Sequence, residues 1–523
     1  MMASIFIPRS GFRFGPNPRE VVLHKQQFFL SDSICRNLMS FVLATFAVVS
    51  LAVAAAAQNN PIPQIVGPVH PDAVAPGGGD FTLSVFGANF VPGAVVNWNY
   101  QPRATTYVSG HELQAQILST DITKNTAGYI TVTNPAPGGG SSSASWAQVE
   151  VHEPISSVAV NEPTYYLFGF WRMQAADFNH DAILDLLGEY WGLGIDLGTG
   201  TGVFHPASVV DQNNLSPTQF AYGDFNGDGN LDVASFSYLD SSGGFSPTRM
   251  SVMLGDGKGD FTRGPTLVSR WQDFGSILAG DFNQDGNLDL ITALANLSTY
   301  LGHGDGTFEH AAYYSYPARG LAVQMVAGDF NGDGKLDLVT LQSPEITVNG
   351  ISEFGTALWF LQGNCDGSFK TPRKIADFPG AELCVGGAYG AVAQVSDFNG
   401  DGKLDLAFCN QAQIGVLLGN GDGTFQPPNY YTADATGQRQ FTYAIGDINS
   451  DGKPDLLVSE YSDFNNRFVI FLGNGDGTFQ PPQTLASGIS GAETGIVLGD
   501  FNERGMLDTI FLNGGGMYLF SQQ

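Results

Sequence analysis

The chain has 523 residues, with 50 Asp and Glu against 22 Lys and Arg, for a formal charge of −28. A chain this acidic repels nucleic acid and anionic membrane surfaces, which excludes both as electrostatic partners. Its 67 Gly, 38 Phe and 43% hydrophobic content exclude a disordered tail or a helical bundle, and fit many short turns joining aromatic and β-branched strands.

The first element is an address. Leu38 to Ala57 is an uncharged, mostly apolar run, preceded by Arg9, Arg13, Arg19, Lys25 and Arg36 against only Glu20 and Asp32. This is the outline of an export signal, with Ala55 and Ala57 as the small residues before a cleavage point. The competing expectation for residues 1–57 is an uncleaved anchor, since a run of this length spans about 30 Å as a helix. Met39 is an alternative start. Either way the remainder is expected to be secreted or displayed at the cell surface, and an uncleaved anchor would be its sole link to a membrane. Removing residues 1–57 leaves 17 basic and 48 acidic residues, so the acidity belongs to the folded part. Of the remaining Cys365, Cys384 and Cys409, one pair can form a disulfide, and the sequence does not select it.

Residues 61–152 read as a small β-sandwich. Strands are expected at Phe81 to Val85, Val95 to Trp98, Leu113 to Ile117, Tyr129 to Thr133 and Ala147 to Val151, separated by Pro- and Gly-rich turns such as Pro76-Gly77-Gly78-Gly79. The runs Phe81 to Gly93 and Thr131 to Gly138 resemble the IPT/TIG family of immunoglobulin-like domains. That resemblance implies a spacer or binding module, here without a Cys for an inter-sheet disulfide.

From residue 155 to 523 one unit recurs. Its sharpest element, D-x-N-x-D-G-x-x-D, is intact at Asp224 to Asp232, Asp281 to Asp289, Asp329 to Asp337, Asp397 to Asp405 and Asp447 to Asp455. Two altered copies flank these. Asp177 to Asp185 has Ala182 in place of Gly, and Asp500 to Asp508 has Arg504 in place of the central Asp. A short apolar strand leads into each motif and another leads out, so the motif is a hairpin loop. A third strand ends in a Gly-Asp-Gly-Thr-Phe type of turn, and a fourth follows. The expected fold is therefore all-β: a seven-bladed β-propeller preceded by a small immunoglobulin-like sandwich. The seventh unit lacks a fourth strand, which Ile155 to Val160 is expected to supply, closing the ring and removing a sheet edge.

Oxygen side chains at positions 1, 3, 5 and 9, with Gly at position 6, resemble the front half of an EF-hand loop and point to Ca²⁺. Turns alone are well served by Asp, Asn and Gly, but converging carboxylates repel one another unless a cation lies among them. The expected ligands are Asp224, Asn226, Asp228 and Asp232; Asp281, Asn283, Asp285 and Asp289; Asp329, Asn331, Asp333 and Asp337; Asp397, Asn399, Asp401 and Asp405; Asp447, Asn449, Asp451 and Asp455. Asp177, Asn179, Asp181 and Asp185 form a sixth site of lower affinity, because Ala182 must take a glycine-like conformation. The copy with Arg504 is expected to be metal-free, its guanidinium pairing with Asp500 and Asp508. The recurrent Phe178, Phe225, Phe282, Phe330, Phe398 and Phe501 at position 2 are expected to pack between blades.

These repeats resemble the FG-GAP/VCBS repeats of the integrin α-subunit propeller and of many secreted bacterial proteins. The resemblance implies one calcium per acidic loop and a role in adhesion or recognition of a glycan or an extracellular protein. No G-x-S-x-G, H-E-x-x-H or P-loop is present, and no catalytic residue is assigned; a lyase or glycosidase acting on polysaccharide is the alternative. Length variation falls in loops opposite the acidic ones, where ligand contacts are expected from Trp191 and Trp271, with Trp171 and Tyr190 nearby. A monomer is expected.

Overall fold

The computed structural model describes residues 59–523 apart from 67–68, 143–146, 156–157, 162, 167–171, 190–191, 212–216, 239–247, 270–275, 294–295, 316–319, 349–350, 355, 379–392, 411–412, 433–440, 461–465, 490–494, 513–515 and 523. The export or anchor segment therefore lies outside the described residues. Among those described, no helix is long and apolar enough to cross a membrane. Regular structure is almost entirely β, with one 3-10 turn at Ser119–Asp121.

The N-terminal module is built from two sheets around one apolar core. One sheet orders Gln64–Ile65, Phe81–Ala88, Glu112–Ile117 and Ala104–Ser109; the other orders Ala73–Val74, Gln148–Val151, Thr126–Asn134, Val95–Trp98 and Gln101–Pro102. Alternation along the strands turns Leu83, Val85, Leu113 and Ala115 of the first sheet toward Val96, Trp98, Ile130 and Val132 of the second. Gly128 is fixed by this core, since a β-carbon there would stand 2.2 Å from the Trp98 ring. The five expected strands are present, Val95–Trp98 with the expected ends and the other four with shifted ends. The two-residue strands are not legible in the sequence, because so short a segment has no period.

Among the described residues, the rest of the chain forms seven further antiparallel sheets, six of four strands and one of five. Each takes consecutive strands in order, as in Ser276–Gly280, Asp289–Ala293, Asn296–Gly302 and Phe308–Ser315. First strands of successive sheets neighbour one another, giving a propeller-like arrangement. The last sheet combines Gly495–Gly499, Asp508–Leu512 and Met517–Phe520 with Thr164–Tyr166, which pairs Thr164 with Leu519.

That pairing corrects the expected closing strand. Val160 forms a single-residue bridge with Gln522, beyond the end of Met517–Phe520. The apolar residues of the expected strand are used elsewhere: the Ile155 amide donates to the Asn449 carbonyl at 2.9 Å, and Val158 is buried against Ile448 and Leu507.

The recurrent phenylalanines tie one sheet to the next. Phe178, Phe225, Phe282, Phe330, Phe398 and Phe501 are each at most 4% exposed. They contact the turn phenylalanine of the following sheet, with Phe225 against Phe308 at 5.5 Å, Phe398 against Phe479 at 5.6 Å and Phe330 against Phe425 at 5.8 Å between centroids. Backbone bonds run in parallel: Gly306, Gly367, Gly423 and Gly477 donate to the carbonyls of Phe225, Phe282, Phe330 and Phe398. The Gly-Asp-Gly-Thr-Phe turns thus lean on the acidic loops of the preceding sheet. They are held by Asp305, Asp422 and Asp476, whose carboxylates accept the backbone amides of Thr307, Thr424 and Thr478.

Candidate metal centres on the acidic loops

The acidic loops share one hydrogen-bonded frame. The position 1 carboxylate accepts the amides of positions 5 and 6, as Asp281 does from Asp285 at 3.1 Å and Gly286 at 2.9 Å. Asn283 Oδ1 also accepts the Asp285 amide at 2.8 Å, and Asp285 Oδ1 accepts the Asn287 amide at 2.9 Å. These bonds require left-handed backbone at positions 4 and 6. Gly satisfies position 6 except at Ala182, where φ is +65°. Position 4 holds the same conformation at His180, Gln284, Ser450 and Glu503, with φ between +54° and +62°. Reading the motif by its acidic positions alone misses this second constraint; the frequent Gly at position 4 was the available signal.

Position 9 is a clamp between strands. Asp289 Oδ2 accepts the Phe282 amide at 3.0 Å, and its Oδ1 accepts the Gly302 amide at 3.0 Å from the third strand. Asp185, Asp232, Asp405 and Asp455 repeat both bonds, and all five side chains lie in residues with no exposed area. In the fourth loop Asp337 keeps the third-strand bond, from Gly363 N at 2.8 Å, and accepts from Asn331 Nδ2 at 2.7 Å.

Burial makes these carboxylates reluctant to ionise. It pushes Asp289, Asp337 and Asp455 up to about 8, and Asp185, Asp232 and Asp405 up to about 7, with neighbouring Asp charges adding to the rise and backbone amides opposing it. Asp281 is likewise raised to about 7 by burial. Among the described residues, no group of three or more His, Cys, Asp or Glu side chains is placed to hold a metal ion; the carboxylates turn onto backbone amides instead. The side-chain donors at positions 1, 3, 5 and 9 are oxygen-bearing, the donor type that hard cations take. An oxygen that accepts one amide retains a second lone pair, and the Asp451 Oδ1 atom is buried with no hydrogen bond at all.

The seventh loop is organised by Arg504. Its guanidinium donates from Nε to Asn502 Oδ1 at 2.7 Å and from Nη2 to the Gln522 carbonyl at 2.9 Å, and stands 3.5 Å from Asp508 Oδ1. The expected pairing with Asp508 is present. Asp500 meets the backbone amide of Arg504 rather than its guanidinium.

The N-terminal module is not a detached spacer: it packs on the acidic loops. Tyr100 Oη donates to Asp177 Oδ2 at 2.7 Å, and the Ile62 amide donates to Asp281 Oδ2 at 2.8 Å. Asn89 Nδ2 donates to the Asp281 carbonyl, and Gln284 Nε2 donates to Asn89 Oδ1. His111 stands 4.0 Å from Asp329, Phe86 borders Gly402, Ser450 donates to Glu150 Oε2 at 2.7 Å, and Gly505 lies against Thr126 and Val151. Gly229 of the second loop has open space beside it. A cavity of about 260 Å³ at the seam is lined by residues including His70, Asp72, Phe86, Asp397 and Lys453. None of these contacts was read from the sequence. The one available signal was Glu150, an acid between Val149 and Val151 in a buried strand.

Trp171, Tyr190, Trp191 and Trp271 lie outside the described residues. Cys409 is disulfide-bonded.

No curated protein matches the chain. Among solved structures, one concerning recognition of non-reducing terminal N-acetylglucosamine by an Agrocybe aegerita lectin is 16% identical, covers 80% of this chain and 99% of that chain, and gives a TM-score of 0.40. An auxiliary nutrient binding protein from Bacteroides ovatus is 12% identical over 88% of this chain and 98% of that chain, with a TM-score of 0.36. The exotype rhamnogalacturonan lyase YesX is 12% identical over 89% of this chain and 91% of that chain, with a TM-score of 0.39. The FG-GAP-like repeat family matches residues 294–340, 397–458 and 447–511, the last two beginning on the first Asp of an acidic loop. The chain thus carries FG-GAP-like repeats.

Proposed function

We propose that this protein is an exported, calcium-stabilised seven-bladed propeller with an IPT/TIG-like sandwich, acting as a recognition module for a glycan or an extracellular protein. The observation that supports the calcium reading is the repeated frame of the acidic loops. It places Asp, Asn and Asp at positions 1, 3 and 5 on backbone already bent as an EF-hand-like loop requires. Five loops keep all these oxygens, the first keeps them behind Ala182, and the seventh replaces one with Arg504. A divalent ion would offset the mutual repulsion that, with burial, raises the carboxylates. The FG-GAP-like repeats support a recognition role.

The test of the metal is thermal unfolding of the secreted protein with calcium and with chelator. A midpoint at least several degrees higher in calcium is expected, and equal midpoints together with metal-free elemental analysis would overturn the reading. A glycan array and a panel of extracellular proteins test recognition. Release of oligosaccharide from a polysaccharide panel would replace the binding role with a catalytic one. N-terminal sequencing of the exported form, expected to begin at Gln58, tests the leader.

A further inference from the structure

The seam between the N-terminal module and the acidic loops is sealed unevenly. The position 6 glycines of three loops meet the module's backbone: Gly286 faces Asn60 and Gly138, Gly334 faces Gly110, and Gly505 faces Thr126 and Val151. A β-carbon on any of these glycines would stand within 3.5 Å of those partners. Between the fifth and sixth loops the fit opens. A β-carbon on Gly452 would come no nearer than 3.9 Å to a residue packed against it, and one on Gly400 would meet nothing within 4 Å. The space left there is the cavity of about 260 Å³, which both glycines line.

One wall is an aromatic ring set against the pattern of its strand. Along Phe81–Ala88, Leu83 and Val85 point into the sandwich core, so Thr82, Ser84 and Phe86 point outward. Thr82 and Ser84 are the polar residues that an outer face requires, and Phe86 is the exception. Its half-buried ring rests against Gly402, 3.4 Å from where a β-carbon there would stand, and borders the cavity. His70 bridges to Ser84 in antiparallel register, which brings its exposed side chain to the same outer face and to the cavity. The propeller side supplies further polar groups. Asn474 uses its Nδ2 on Thr478 Oγ1 at 2.9 Å, leaving Oδ1 as an acceptor. Lys453 adds an ammonium on a side chain 41% exposed, and Asp397 adds a carboxylate.

An aromatic face beside several donors and acceptors suits a hydroxylated ring, whose C–H face packs on the aromatic while its hydroxyls exchange hydrogen bonds with the polar groups. Charge narrows the class. The Lys453 ammonium disfavours a cation, and the carboxylates of Asp72 and Asp397, in a chain of net charge −28, disfavour an anion. Size narrows it again, since the cavity falls just below the ~300 Å³ lower end of ordinary ligand pockets and so holds about one ring. We propose that this cavity binds one neutral sugar residue, between Phe86 of the N-terminal module and Asn474 of the propeller. The inference rests on the glycan form of the recognition reading and deepens it. It puts sugar recognition on the acidic-loop side, at a site that exists only where the two modules meet.

The test is saturation-transfer NMR and titration with the methyl glycosides of glucose, galactose, mannose, N-acetylglucosamine, fucose and rhamnose, on the full exported chain and three variants. Phe86→Ala removes the aromatic wall. Gly400→Gln fills the cavity with the side chain that Gln284 already carries at position 4 of the third loop, on the same left-handed backbone. Gly227→Gln makes the same change in the second loop, away from the cavity. The expected result is binding of at least one glycoside, weakened at least about fivefold by Phe86→Ala and by Gly400→Gln and unchanged by Gly227→Gln. If a glycoside binds and both cavity variants bind it as the parent does, the site is overturned and the recognition reading survives. If no glycoside binds, the site is again overturned, and the glycan array decides the recognition reading independently. Should Phe86→Ala fail to fold, Gly400→Gln gives the same discrimination.

Discussion

The Phe501 ring meets the Phe204 ring edge to face at 5.7 Å, and the Gly202 amide donates to the Phe501 carbonyl at 2.8 Å. These bonds join the last sheet to the first, repeating the contact made by Phe225 with Phe308 and by Phe398 with Phe479. Phe501→Ala should therefore destabilise the protein by about 3–5 kcal/mol, through lost burial and a cavity at the closing seam. Denaturant unfolding would check this, and limited proteolysis should cut the variant first near Thr164–Tyr166. A change below about 1 kcal/mol would show that the seam is held by the Thr164–Tyr166 strand alone.

Ala182 occupies left-handed backbone at φ +65°, where the other loops have Gly. Ala182→Gly should raise stability by about 1 kcal/mol by relieving the clash between Cβ and the carbonyl oxygen. The gain should appear in chelator as well as in calcium, as a higher midpoint in thermal unfolding.

Glu189 is raised to about 7 and Asp196 to about 6, both chiefly by burial, with Arg172 partly opposing the rise at Glu189. Each folded value lies above the ordinary carboxylate value of 4.5 or 3.8. Between those values the native chain holds protons that the unfolded chain has released, so stability falls as pH rises from about 4 to about 7. Glu189→Gln and Asp196→Asn should each flatten that slope in denaturant titrations at fixed ionic strength. An unchanged slope in the double variant would assign the pH dependence to other carboxylates.

Asp401 and Asp508 separate metal from scaffold. Asp401→Ala should lower bound calcium by one ion per chain in elemental analysis. Asp508→Ala should leave the metal content unchanged and lower stability, because Asp508 accepts from Asn502 and stands 3.5 Å from the Arg504 guanidinium. Loss of an ion in both variants would mean that the seventh loop also holds metal.

Much of the repeat was legible because its determinants are local. Asp, Asn and Gly at fixed offsets impose the same loop wherever they occur, and the Phe at position 2 is buried in every copy that has it. The structural part of position 9 was not legible, since its partners, such as Gly302 for Asp289 and Gly419 for Asp405, lie a strand away. The closing strand was misplaced for a similar reason. Ile155 to Val160 has suitable alternation, but register is decided by what each segment packs against, and Val158 is taken by the cluster around Ile448.

The sequence by itself determined the repeating acidic hairpins, the turns that follow them and the phenylalanines between sheets, since each is set by interactions within a few residues or by exact repetition. Only the tertiary structure decided that the N-terminal module lies on the acidic loops, where Tyr100 donates to Asp177 and Glu150 accepts from Ser450. Those contacts join residues from 77 to 300 positions apart, as with Tyr100 and Asp177 and with Ser450 and Glu150, and depend on the shape of two folded surfaces that no local pattern encodes.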